Sequence, residues 1–195
     1  FESHGTFSDP ESADHGLLGA RALDTAGILE GLKEKEARRI RTCVRHHNAR
    51  FLPRELGPET LFQARLLRDA DKIDIFRVMV EKYQQDREAF RKDRQFITNR
   101  FPYNGQISES MRQRFLAGRP IDKKRVKTLN DLKLFQLSWL FDLNFRQSLE
   151  IIMNRQHPEA ILDSMPEQHR LAPVRDLIRR HSRKAALEIS TTPSG

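Results

Sequence analysis

Arg65-Leu-Leu-Arg-Asp-Ala-Asp-Lys-Ile-Asp-Ile-Phe-Arg77 sets three carboxylates, Asp69, Asp71 and Asp74, inside a run of apolar and helix-forming residues. At helical spacing Ala64, Leu67, Asp71, Ile75 and Val78 share one stripe, which puts Asp71 in the middle of an apolar face. Asp69 points to another side, and Asp74 lies one turn along from Asp71. A carboxylate on a core-facing stripe is costly unless a cation, a metal or several donors satisfy it. The stretch predicts a helix and makes Asp71 the residue to explain.

Working outward, Pro58 followed by Glu59 launches that helix over about 59–83. Upstream, Ser8 or Asp9 before Pro10 and Glu11 predicts a helix to about Leu29 that stops at Gly31, with a stripe of His15, Leu18, Gly19, Ala22, Ala26 and Leu29. The next helix spans about Glu34 to His47 on a stripe of Ala37, Ile40, Val44 and His47. His46 lies about 100° round from His47.

Downstream, residues 84–99 are charged and weakly amphipathic, and Phe101-Pro-Tyr-Asn-Gly105 is a turn signal. Ser108 and Glu109 start a short helix that ends at Gly118. Thr128-Leu-Asn-Asp131 has capping-box form and opens the most apolar helix, running through Phe141, with Asp131 and Asp142 three turns apart on it. A helix over about Phe145–Asn154 breaks at His157-Pro158, a short piece follows through Leu162, and Pro173 begins a basic terminal helix. From Ser190 the chain is expected to fray. No stretch reads as a strand and no repeat is present. The fold class is all-α, divided into 1–83 and a helical extension over 84–195.

With 195 residues the chain can bury a proper core, and 32% charged residues suit heavily solvated helix faces. The net charge of +8 is met by ordinary Lys/Arg-rich surfaces or by attraction of anions such as nucleotides and phosphoesters. A single cysteine, Cys43, excludes a disulfide framework and a thiolate zinc knuckle, and suits a reducing, cytoplasmic setting. No apolar run approaches the length of a membrane span, so no membrane partner is expected.

Three successive helices thus each aim a polar residue into an apolar stripe: His15, His47 and Asp71. Hydrogen-bonded core histidines and an Asp71 paired with an arginine such as Arg68 would account for them. So would convergence on a divalent metal or a phosphate, since imidazole and carboxylate are a standard ligand set.

Asp14-His15-Gly-Leu-Leu-Gly19, His46-His47-Asn48 and Leu67-Arg-Asp-Ala-Asp71-Lys72-Ile-Asp74 together resemble the later half of the HD superfamily of metal-dependent phosphohydrolases. Phe1-Glu2 and Gly5-Thr-Phe-Ser-Asp9 are similar to the segment after the His-Asp pair in one bacterial branch. Leu137-Ser-Trp-Leu-Phe-Asp142-Leu-Asn-Phe145 is similar to that branch's C-terminal helices. The resemblance implies an HD-domain-like helical bundle with additional C-terminal helices. It implies Asp71, His15 and His47 as ligands of one or two divalent metals, Mn, Fe, Co, Ni, Mg or Zn. It leaves His15 and His47 as alternatives to act as donors to the substrate phosphate, His46 to share that role or to face solvent, and Lys72 with Arg68 to neutralise phosphate oxygens or to pair on the helix surface. The family's first His and its His-Asp pair have no counterpart upstream of His15, and His4-Gly5 is not a substitute; they are expected before Phe1.

The reading that follows is a metal-dependent phosphohydrolase acting on a nucleotide or another small phosphorylated molecule. The alternative is a non-catalytic helical module that binds a nucleotide or a partner on the same scaffold. The basic runs Lys123–Lys127 and Arg179–Lys184 lack interleaved aromatics, and no nucleic-acid module accompanies them, so a nucleic-acid regulator, whose affinity would fall steeply with salt, is the third and least expected reading. Gly-rich phosphate loops, nucleophile elbows and His-Glu-x-x-His patterns are absent.

Overall fold

A computed structural model describes residues 14–84, 101, 106–166 and 168–187. They are helical, with no strand among them, and the all-α expectation holds. The helices are α1 (His15–Thr25), α2 (Glu34–His46), α3 (Pro58–Gln84), α4 (Glu109–Leu116), α5 (Leu129–Leu137), α6 (Arg146–Asn154), α7 (His157–Asp163) and α8 (Gln168–Leu187), with 3₁₀ turns at Lys123–Arg125 and Ser138–Asp142. No helix among the described residues is long and apolar enough to cross a membrane. The expected helix start near Pro10, the 84–99 segment, the Phe101–Gly105 turn beyond Phe101 and the tail from Ser190 lie outside the described residues. The described residues up to Asp71 make one compact unit and those from Lys72 make another.

In the first unit α1 begins at Asp14, whose carboxylate accepts from the Gly16 N–H at 2.9 Å and the Leu17 N–H at 3.4 Å. It ends at Thr25, four residues short of the predicted Leu29. The Ile28 N–H reaches the Leu23 carbonyl, the Gly27 N–H reaches Asp24, and Gly27 takes φ 65°, a Schellman stop. Packing onto α2 is antiparallel. Asn48 meets Asp14, Arg45 meets Gly16, Val44 meets Gly19 and Arg41 meets Asp24, one number falling as the other rises. The faces touch because of glycine: a Cβ on Gly16 would stand 2.6 Å from the Arg45 carbonyl oxygen. This contact turns Gly16 and Ala20 inward and leaves His15, Ala22 and Ala26 exposed, so the predicted α1 stripe is displaced round the helix. The α2 stripe is closer to expectation, with Ala37 and Cys43 buried and Ile40, Val44 and His47 half-buried.

On α3 the buried line is Ala64, Arg68, Lys72, Phe76 and Met79, rotated by one residue from the predicted 64, 67, 71, 75 and 78. The two cations bury their aliphatic stems and use their heads on backbone. The Arg68 guanidinium donates to the Ala49 carbonyl, and the Lys72 ammonium donates to the Asp142 carbonyl at 2.5 Å and its carboxylate at 2.7 Å.

In the second unit Phe76 stands edge-on to Trp139, which also meets Phe135. Thr128 caps α5 as expected, its hydroxyl accepting from the Asp131 N–H at 3.0 Å. The Asp131 carboxylate does not close the box. It is fully buried and accepts from the Ser108 N–H (2.8 Å), the Ser108 hydroxyl (2.7 Å) and the Lys127 N–H (3.2 Å), tying the start of α4 to that of α5. The α-helix gives way to a 3₁₀ turn at Ser138, so Asp131 and Asp142 do not share one α-helix. Pro173 lies inside α8 rather than at its start.

At the start of α7, after Gln156 in a left-handed conformation, His157 is 8% exposed with its Nε2 buried and unbonded among the described residues. Burial, then the neighbouring Arg155 and Arg77 charges, hold its pKa below the ordinary value of about 6.5, with Glu81 opposing. A depressed histidine pKa means the unfolded chain takes up the proton first. Its contribution is therefore intact above about pH 6.5 and is lost as pH falls from there through the folded-state value. His157→Leu is expected to flatten the drop in urea midpoint between pH 7.5 and 5.5 relative to the parent chain. An unchanged difference between those two pH values would contradict this account.

Candidate functional site

The sequence-predicted ligands all belong to the first unit, and three of them come together where the start of α1, the end of α2 and the middle of α3 meet. The His15 and His47 rings lie edge to face, centroids 4.8 Å apart, and His47 Nε2 stands 3.9 Å from Asp71 Oδ1. That separation is too long for a hydrogen bond. It is shorter than twice a metal–ligand distance of about 2.1 Å, so one ion could touch both atoms.

His47 is prepared for such a role. Its Nδ1 lies 2.7 Å from the Val44 carbonyl, which only accepts, so Nδ1 carries the proton and Nε2 presents its lone pair toward Asp71. The His47 side chain is 14% exposed and that of Asp71 is 30% exposed, so a solute can reach the carboxylate. Asp71 is thus half-buried rather than enclosed in an apolar face, and the deeply buried acid of the stretch is Asp69, at 1%. Asp74 pairs with Arg77 at 2.8 Å on the exposed surface.

His15 is held differently. The Asn48 amide donates to Asp14 Oδ1 at 2.9 Å and lies 3.4 Å from His15 Nδ1. With Nδ1 accepting, the neutral ring keeps its proton on Nε2, which makes His15 a donor. The Asn48 contact is the largest of the influences that lower the Asp14 pKa; burial opposes it, and the Leu17 and Gly16 N–H groups assist. Asp14 and Asn48 are the supporting residues the sequence reading did not single out, although both stand inside the motifs it used. Their signal was position: an Asp directly before a helix start and an Asn directly after a helix end.

His46, the last residue of α2, is half-buried and takes no part in the His15–His47–Asp71 contacts. Lys72, considered as a phosphate partner, instead has its ammonium against Asp142, and Arg68 is turned to Ala49. Cys43 is buried, its thiol 3.7 Å from the Thr60 carbonyl and its pKa raised by desolvation. Among the described residues no group of three or more His, Cys, Asp and Glu side chains stands ready to hold a metal ion. The donor types and the His47–Asp71 spacing fit a divalent ion, but a full coordination shell needs donors from outside these residues. Comparison with family models, with curated proteins and with solved structures gives no match to the chain.

Proposed function

We propose that the chain carries part of the active site of a metal-dependent phosphohydrolase of HD type, acting on a nucleotide or another small phosphorylated molecule. The observation that carries this reading is the His47–Asp71 pair, a lone pair and a carboxylate 3.9 Å apart and open to solvent. His47 and Asp71 would hold a divalent ion, which when bound polarises a phosphoryl oxygen and lowers the pKa of water. The remaining work belongs to the chain's own groups. Val44 fixes the His47 tautomer. Asn48, itself held by Asp14, orients His15, whose Nε2–H would donate to a phosphate oxygen. The HD-like motif order supports the same assignment and implies a His and a His-Asp pair as the further ligands.

The test is metal analysis of the purified full-length protein together with turnover of p-nitrophenyl phosphate and a nucleotide panel with added Mn²⁺. Bound transition metal and Mn²⁺-dependent turnover are expected. A metal-free protein with no turnover would replace this reading by the non-catalytic binding module, which the lack of a three-donor group among the described residues also suits.

A further inference from the structure

Two basic runs far apart in sequence are anchored to one short turn. Lys123–Arg125 is a 3₁₀ turn capped by Asp122, whose carboxylate accepts from the Lys124 N–H at 3.0 Å. The residues around it, Ile121 and Val126, are buried, and the Ile121 N–H donates to the Ser138 hydroxyl at 3.1 Å. From α8, Val174 and Ile178 point into the core, the His181 ring packs edge-on to Phe141 at 5.1 Å, and its Nε2–H donates to the Leu140 carbonyl at 3.1 Å. Both runs therefore fasten to Ser138–Phe141, a stretch of about 6 Å at the 3₁₀ rise of about 2 Å per residue.

With the apolar side chains committed inward, the cations face solvent. Lys124, Arg125 and Lys127 on the first run and Arg179, Arg180 and Arg183 on α8 are exposed, and none makes an ion pair with a described residue. The first half of the same helix behaves differently, with Arg175 paired to Asp163 at 2.5 Å and Arg170 to Glu109 at 3.7 Å.

We propose that these two runs form one surface that binds the phosphate backbone of duplex nucleic acid without reading sequence. Concentrated, unneutralised Lys and Arg are what phosphate contact requires. Neither run contains Phe, Tyr or Trp, and the one ring, His181, is committed to Phe141 and the Leu140 carbonyl, so no platform is left on which unpaired bases could stack, which favours a duplex over a single strand. On α8 Leu171, Val174 and Ile178 lie buried, and Leu187 at its end is the one large apolar side chain exposed among the described residues of the helix, too little to anchor in an acyl layer, which favours nucleic acid over an anionic membrane.

Fluorescence anisotropy of the purified chain with a labelled random duplex of about two helical turns tests this. For roughly four to six phosphate contacts, affinity is expected to fall by about two to three orders of magnitude between 50 and 200 mM salt. The triple changes Lys124→Glu/Arg125→Glu/Lys127→Glu and Arg179→Glu/Arg180→Glu/Arg183→Glu should each weaken binding at least about tenfold at 100 mM salt and flatten the salt slope. Arg21→Glu/Lys35→Glu/Arg38→Glu, an equal change of charge on α1 and α2, should leave binding within about twofold of the parent. All three variants are first checked for parental helicity by circular dichroism. No binding at 50 mM salt, an equal loss in the α1/α2 variant, or a loss in only one of the two test variants would overturn the shared surface. Single strands bound as tightly as duplex, or phosphatidylserine vesicles bound in preference to it, would overturn the assignment to a duplex.

Discussion

Asp71→Ala is expected to lower Mn²⁺-dependent phosphoester hydrolysis by at least about 100-fold while the protein stays helical and folded. A metal ligand's contribution of several kcal/mol, at about 1.4 kcal/mol per factor of ten, sets that scale. The fold should survive because the Asp71 side chain is 30% exposed, so its removal opens space toward solvent rather than a cavity in the core. Asp71→Asn keeps the shape and discards the charge, and should fall nearly as far if the carboxylate serves as an anionic ligand. Circular dichroism and metal content on the same samples separate a lost ligand from a lost fold. Parental activity in folded Asp71→Ala would remove Asp71 from the site and with it the assignment of the site to metal chemistry.

A second large effect is expected far from that chemistry, in the stability of the second unit. Asp131→Ala should cost about 3 kcal/mol, because the carboxylate is fully buried and satisfies two backbone N–H groups and a hydroxyl. Truncation leaves the part-buried Ser108 and Lys127 N–H groups without their acceptor, which is the costly half of losing a hydrogen bond. At about 2–4 °C per kcal/mol for a chain of this size, the thermal midpoint should drop by about 6–12 °C. Asp131→Asn retains one acceptor oxygen and should fall between the two. A loss under about 1 kcal/mol in Asp131→Ala would mean that water takes over the bonds, and the clamp between α4 and α5 would have to be abandoned.

Helix existence was readable wherever local chemistry acts alone. Pro58 and Glu59 mark the start of α3, Thr128 caps α5 with its hydroxyl, and Ser108 with Gly118, at φ 65°, brackets α4. What periodicity misread was which face turns inward. Arg68 and Lys72 count as surface residues in an apolar pattern, yet their stems lie on the buried line of α3 and their heads close loop carbonyls. Likewise an apolar stripe carries no account of Gly16, whose missing side chain decides how α1 meets α2 and thereby exposes His15. Tertiary partners of this kind have no signature in a single stretch of sequence. The placement of His15, His47 and Asp71 on three successive helices was readable from the order of the motifs, and Asn48 and the Val44 carbonyl hold the two rings. Their depth was not, since Asp69 and Asp71 differ only by a rotation that packing sets.

Pro173 gives α8 an uneven grip. It brings no N–H to the fourth carbonyl before it, so the turn over 168–172 lacks a bond that every later turn has. Leu171, wholly buried, holds that turn through its side chain instead. Amide hydrogens before the proline are expected to exchange through smaller local openings than those of the helix body beyond Val174, which native-state hydrogen exchange checks. The exposed arginines at 179, 180 and 183 then ride on the segment expected to exchange slowly.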